Sequence, residues 1–203
     1  MRLAGYLKAE PPSMKLRATE SFRVIAYTDS NYATDEHDRK SVSGYVVTLG
    51  GSIVSWGSKK QDTVSLSSCE AEYIASVNCA QEIRYIQQLM EELVGKQEPA
   101  LMYGDNNGAI FLSKHNHVGA RTKHIDVRYH YLRELQTNGH LDYKKIKGED
   151  NPSDIMTKNV TESIHAKHTK ELKAGFIEHG RKCANVYSKS RSREDDEDTL
   201  PVG

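Results

Sequence analysis

Asp29, Glu72, Asp105 and Asp154 are the residues of this sequence whose type and setting suggest chemistry. Each lies within or beside a segment that reads as a strand or a helix, and the order of those segments would bring all four to one end of a sheet. Carboxylates drawn from several elements suit a hard divalent cation, Mg²⁺ or Mn²⁺, which takes oxygen ligands and shares them with substrate phosphates. Two such ions about 4 Å apart activate a water and stabilise the leaving oxygen in phosphodiester hydrolysis. Cys69, Cys79 and Cys183 show neither zinc-type nor C-x-x-C spacing, which removes the zinc-finger and disulfide-scaffold classes.

Simpler roles stand beside the chemical one. Asp29 could close a strand in a turn, Asp105 could cap the helix that follows it, and Asp154 near a helix start would be stabilised by the helix dipole whatever its function. Glu72 can be tested by geometry. It falls about 40° from Ile86, within the apolar stripe of Ala75, Cys79 and Met90, so it points inward. Glu70 lies roughly 160° from that stripe and completes an S-x-x-E capping box with Ser67, a structural role. An inward carboxylate is costly unless a cation meets it. A buried ion pair with lysine or arginine is the alternative to a metal.

The elements that must hold these acids follow from periodicity. Arg23 to Asp29 alternates as a strand does, with Ile25, Tyr27 and Asp29 on one face. Gly44 to Leu49 and Ser52 to Trp56 flank Gly50-Gly51, a hairpin signal. Ser67 to Leu93 has helical spacing and Gly95 as its stop. Ala100 to Gly104 reads as a strand, Asn106 to Lys114 and Arg121 to Thr137 as helices, and Leu141 to Ile146 as the last strand. Asn151-Pro152-Ser153-Asp154 is a helix-start signal, with Asn as cap and Pro at the first position. The order β-β-β-α-β-α-α-β-α predicts an α/β fold, a mixed five-stranded sheet with helices packed on it.

Composition agrees with that size. The 203 residues are 37% hydrophobic and 28% charged, with Lys+Arg 28 balancing Asp+Glu 28, as in one globular domain. Mean hydropathy is −0.68 and no apolar run approaches the roughly 20 residues that span a bilayer, so no membrane partner is expected. Met1 to Glu10 does not read as a signal peptide, and an intracellular setting, cytoplasmic or nuclear, is expected. The neutral total argues against binding nucleic acid by bulk charge and leaves room for a local basic face. Residues 22–180 are read as the folded domain, 1–21 as an approach segment, and 181–203 as a disordered polar tail.

The stretches YTDSNYATDEHDRKSVSGYVVTLGG, SIVSWGSKKQDTVSLSSCEAEYIA, YGDNNGAIFLSKH, RTKHIDVRYHYLREL and EDNPSDIMTK, in that order, resemble the ribonuclease H domain of copia-type long-terminal-repeat retrotransposon polyproteins. They cover about Ile25 to Lys158. The resemblance implies a ribonuclease H-like fold that hydrolyses the RNA strand of RNA:DNA hybrids with two Mg²⁺ ions, Mn²⁺ being a substitute. It implies as metal ligands and catalytic acids Asp29 of YTDS, Glu72 of EAEYIA, Asp105 of YGDN and Asp154 of NPSD. A reverse transcriptase domain is the partner it implies, with residues 1–21 resembling a remnant of the connection to it. Cellular ribonucleases H hold a histidine in the loop before the last acid, whereas Lys147-Gly148-Glu149-Asp150-Asn151-Pro152 holds none.

A hybrid is recognised through 2′-hydroxyls, groove shape and phosphates. Ser30, Asn31, Ser43, Asn106 and Asn107, short polar residues near the acids or early sheet elements, are the candidate readers, although each could be a turn or cap residue. His124, Arg128 and Tyr131 share one flank of their helix and could face a phosphate backbone. Lys59, Lys60, Lys144, Lys145 and Lys147 could add nonspecific attraction. The alternative to a nuclease is a catalytically silent module, either a packing partner for a reverse transcriptase or a hybrid-binding domain. A carboxylate-pair glycosidase explains neither four acids nor the motifs.

Overall fold

The central strand is β1 (Val24–Asn31), and its burial on both faces follows from its place in the sheet. The computed structural model describes residues 22–114 and 123–173. Residues 1–21 and 181–203, and the side chains of His124 and Arg128, lie outside what it describes. After β1 come β2 (Val42–Leu49), β3 (Ser52–Lys60), α1 (Ser68–Val94), β4 (Ala100–Gly104), α2 (Asn107–Lys114), α3 (Lys123–Thr137) and β5 (Leu141–Lys145). Two 3₁₀ turns, Gly148–Asp150 and Pro152–Met156, precede α4 (Glu162–Lys173).

The sheet has five strands in the order β3-β2-β1-β4-β5. β1 runs antiparallel to β2 and parallel to β4, and β4 runs parallel to β5. Gly50 and Gly51 close the β2–β3 hairpin with φ of 57° and 87°, the left-handed pair that a tight hairpin turn requires. One sheet face packs Val24, Ala26, Val47 and Met102 against Tyr73, Val77, Ala80 and Ile83 of α1. The other gathers Ile25, Tyr27, Val46, Leu101, Tyr103 and Ile146, with Met156 packed against them.

Parallel pairing positions the first two acids. Tyr27 sits opposite Tyr103 in the β1–β4 ladder, their rings stacked 5.5 Å apart. Asp29 and Asp105 each follow that pair by two residues along parallel strands, so both emerge at the same end of the sheet. The chain end of β1 is then approached from both faces, by the first turns of α1 on one and by the Pro152–Met156 turn on the other.

The helix-start signal at Asn151 is used differently from the expectation. Asn151 accepts from the Ser153 N–H at 3.2 Å, but the element it opens is a 3₁₀ turn ending at Met156, and the α-helix starts only at Glu162. Tertiary bonds account for the stop. The Thr157 hydroxyl turns inward to the Asp29 carboxylate, and the Asn151 amide donates to the Thr28 carbonyl of β1 at 3.0 Å. No helix among the described residues is long and apolar enough to cross a membrane.

Candidate metal centre

Asp29, Glu72 and Asp105 each offer a carboxylate oxygen, and these oxygens lie within 4.8 Å of one another. Asp29 is 1% exposed and Glu72 6%, so the group is built into the protein rather than laid on its surface. Glu72 reaches it because α1 starts where it does. Ser67 caps the helix, its Oγ accepting from the Glu70 N–H at 3.1 Å, and the Glu70 carboxylate accepts from the Leu66 N–H at 2.7 Å. The reciprocal bond of the expected capping box thus goes to Leu66 rather than Ser67. One residue pair further on, Glu72 turns to the sheet, where its Oε1 accepts from the Ser30 N–H at 3.1 Å. Its Oε2 is buried and has no hydrogen-bond partner.

Asp154 stands beside this trio rather than within it. Its carboxylate lies 3.1 Å from the Lys158 ammonium, which is also 3.5 Å from Asp29. Asp154 Oδ1 is buried without a partner. The turn that carries it is pinned to β1 at three places: Asn151 to Thr28, Thr157 to Asp29, and Asn31 Nδ2 to the Thr157 carbonyl at 3.2 Å. This approach requires Gly44, paired with Asp29 across β1–β2. A Cβ there would stand 2.5 Å from Thr157 Cγ2 and 2.8 Å from Met156 Cβ. Gly104, just before Asp105, is likewise a close-approach position, since a Cβ would meet the Tyr143 hydroxyl.

Burial and mutual repulsion set the protonation of the cluster. Glu72 is pushed up to about 8, first by burial and then by the charges of Asp29 and Asp105. Burial likewise raises Asp29 to about 6, against the lowering effect of the Thr157 hydroxyl, while Asp154 adds to the rise. Asp154 is raised by burial too, opposed by Lys158. Carboxylates that crowd one another without enough positive charge hold protons until a cation arrives. An all-oxygen donor set with two unpartnered buried oxygens fits a hard divalent ion.

The candidate substrate readers have varied settings. Ser30 is buried and meets Glu72 through its backbone N–H. Asn31 holds Thr157. Ser43 is buried and accepts from Gln61 at 2.9 Å. Asn106 accepts from the Ala109 N–H at 3.0 Å and so caps α2, and Asn107 is exposed beside it. Lys60 pairs with Asp35 and Asp38, Lys59 with Asp62, and Lys144 with Asp142, so much of the expected basic attraction is answered locally.

Sequence reasoning missed Thr157, Lys158 and Gly44. The lone glycine inside the β2 pattern was a usable signal, because such a glycine marks a close backbone approach. Nothing local announced Thr157 or Lys158, whose partner Asp29 lies 128 residues from Thr157. His168 of α4 was missed as well; it is fully buried, with Nδ1 3.2 Å from Glu171 and Nε2 unpartnered.

This strand order, with an acid cluster at the ends of β1 and β4, defines a ribonuclease H-like protein. The fold superimposes on a ribonuclease H1 isolated from compost with a TM-score of 0.50 and 17% identity, over 67% of this chain and 93% of that one. It matches the N-terminal ribonuclease H domain of a Mycobacterium tuberculosis protein equally, at 0.50 and 12% identity over 72% and 99% of the two chains. No family model matches the chain. By sequence it is 44% identical over 134 residues to the retrovirus-related Pol polyprotein of the tobacco transposon TNT 1-94 (Nicotiana tabacum), covering 66% of this chain and 10% of that protein. To the Pol polyprotein of transposon RE2 from Arabidopsis thaliana it is 33% identical over 187 residues, 91% of this chain and 13% of that one. The chain is homologous to a segment of copia-type retrotransposon Pol polyproteins, and that segment has the ribonuclease H fold. It spans only about a tenth of the length of these relatives.

Proposed function

We propose that the chain is a retrotransposon ribonuclease H that hydrolyses the RNA strand of RNA:DNA hybrids with two divalent ions, Mg²⁺ or Mn²⁺. The observation that carries this reading is the meeting of the Asp29, Glu72 and Asp105 carboxylates within 4.8 Å, with Asp154 alongside. These four residues would hold the metal. Bound there, it would supply Lewis acidity toward a phosphodiester and a more acidic water. The protein contributes positioning. The Ser30 N–H fixes one Glu72 oxygen and leaves the other free, and the Thr157 hydroxyl fixes one oxygen of Asp29. The RNA:DNA hybrid as substrate is supported by a structure of the compost ribonuclease H1 in complex with such a hybrid, which matches this fold at a TM-score of 0.50 and 16% identity over 66% of this chain and 94% of that one. A reverse transcriptase domain of the same polyprotein is the proposed partner.

The test is cleavage of a labelled RNA:DNA hybrid with Mg²⁺ or Mn²⁺, duplex DNA being the control. Glu72→Gln and Asp105→Asn should abolish cleavage, and Glu70→Gln, which alters only the helix cap, should retain it. A folded chain that cuts nothing, even with a reverse transcriptase supplied, would leave the silent-module reading standing instead.

A further inference from the structure

Lys158 lies inside the acid cluster, and the proposed ligand set does not use it. Its ammonium is 3.1 Å from Asp154 and 3.5 Å from Asp29, and among the described residues it is the cation that pairs with the site acids. Its place is set by the backbone, because the Lys158 N–H closes the turn onto the Asp154 carbonyl at 3.1 Å. Asp154 is excluded from the close trio, and its link to Asp29 runs through this ammonium. The gap between those two carboxylates is therefore filled by the chain's own positive charge, whereas the gap among Asp29, Glu72 and Asp105 is not.

A divalent ion entering between Asp29 and Asp154 cannot share that space with an ammonium, since like charges a few ångströms apart repel strongly where water is scarce. The side chain is able to leave. It is 36% exposed and itself lines an open groove with Asn31, Thr34, Ile155, Met156, Thr157 and Asn159. A phosphodiester lying in that groove would give the displaced ammonium a new partner.

We infer that Lys158 is a positioning residue that occupies the place of the second metal ion in the free protein and yields it on loading. The inference rests on the metal-dependent reading above. The two ions are then unequal: the first binds at Asp29, Glu72 and Asp105 without obstruction, and the second must displace Lys158.

The test is a Mn²⁺ titration of the full chain without nucleic acid, followed by calorimetry and by electron paramagnetic resonance of the bound ion. Wild type should bind one ion tightly and a second weakly. Lys158→Met and Lys158→Gln should tighten the second ion at least about tenfold and leave the first much less affected. Lys158→Arg, which keeps the charge, and Lys167→Met, which removes a lysine paired elsewhere with Asp150, should behave as wild type. A second measurement needs no variant. In lysine-labelled wild type titrated with Mg²⁺, the Lys158 Cε resonance should move with the second equivalent rather than the first. Equal second-ion affinity in folded Lys158→Met, equal tightening by Lys167→Met, or a Lys158 resonance that ignores the second equivalent would each overturn the inference. If wild type binds no Mn²⁺ at all, the metal-dependent reading falls first and this one with it.

Discussion

Lys60 and Lys158 each hold a pair of aspartates, yet the two groups behave in opposite ways. Lys60, at the end of β3, lies 2.9 Å from Asp38 and also pairs with Asp35, with all three side chains partly in water. Hydrogen bonds from Lys60 lower both Asp35 and Asp38. Lys158 pairs less closely with Asp29 and Asp154, at 3.5 Å and 3.1 Å, and both acids are raised instead, chiefly by burial. The residue types are the same. The difference is burial first, with the charge of Asp105 adding to the rise at both acids. A lysine satisfies two aspartates at a surface, but it leaves a cluster of four carboxylates, with Asp29, Glu72 and Asp154 buried and Asp105 half-buried, short of positive charge.

The widest separation between the regions should appear in catalysis. Asp29→Asn should reduce hybrid cleavage by at least about a hundredfold, the scale of losing one group that stabilises the transition state. Asp35→Asn should leave the rate within about twofold, because a partly exposed pair contributes little. Equal losses in the two variants would mean that the β1 cluster is not the reacting site.

Packing should separate them next. Gly44→Ala places a Cβ against Thr157 and Met156, and urea unfolding should show a loss of about 1–3 kcal/mol, the usual cost of overpacking. The same variant should weaken metal binding, because it pushes the Asp154 turn away from β1. Unchanged stability would show that the turn docks less closely than its contacts imply.

Acidity offers a sharper contrast. Between its ordinary 4.5 and its raised value of about 8, Glu72 in the folded metal-free protein keeps a proton that the unfolded chain has released, and Asp29 does so between 3.8 and about 6. Stability should therefore fall as pH rises through that window. Melting temperature measured from pH 5 to 8 in a chelator should decline, and Mg²⁺ should restore more at pH 8 than at pH 5. Glu72→Gln should flatten the metal-free profile. Asp35, lowered rather than raised, is fully stabilising above its ordinary 3.8, and its contribution declines progressively as pH falls below that value.

The smallest effect belongs to the surface trio. Lys60→Met should leave the melting temperature close to that of wild type, and the small change should shrink further as salt is raised, as for exposed ion pairs. A larger, salt-resistant loss would show that Lys60 is more than a surface counter-ion.

Much of this arrangement is legible in the sequence, and the parts that are not share a cause. Glu72 could be assigned inward because helical spacing relates it to Ile86 and Met90 within one element. Glu70 could be assigned to the cap from three residues of local sequence, although its carboxylate chose Leu66. Asn151 and Pro152 do open an element, but it is a 3₁₀ turn rather than the expected α-helix, held short by the bonds to Thr28 and Asp29. Local rules give no account of contacts 123 and 128 residues apart.

By itself, then, the sequence determined the elements, their order and the side of each that turns inward, since these depend on periodicities of two and 3.6 residues written along the chain. The element order already pointed Asp29 and Asp105 to one end of a sheet, and the tertiary structure decided the parallel register, Tyr27 opposite Tyr103, that sets them side by side there. It alone decided that Lys158 stands between Asp29 and Asp154. Such contacts depend on strand register and on distances through space, and electrostatic energy follows those distances rather than positions along the chain.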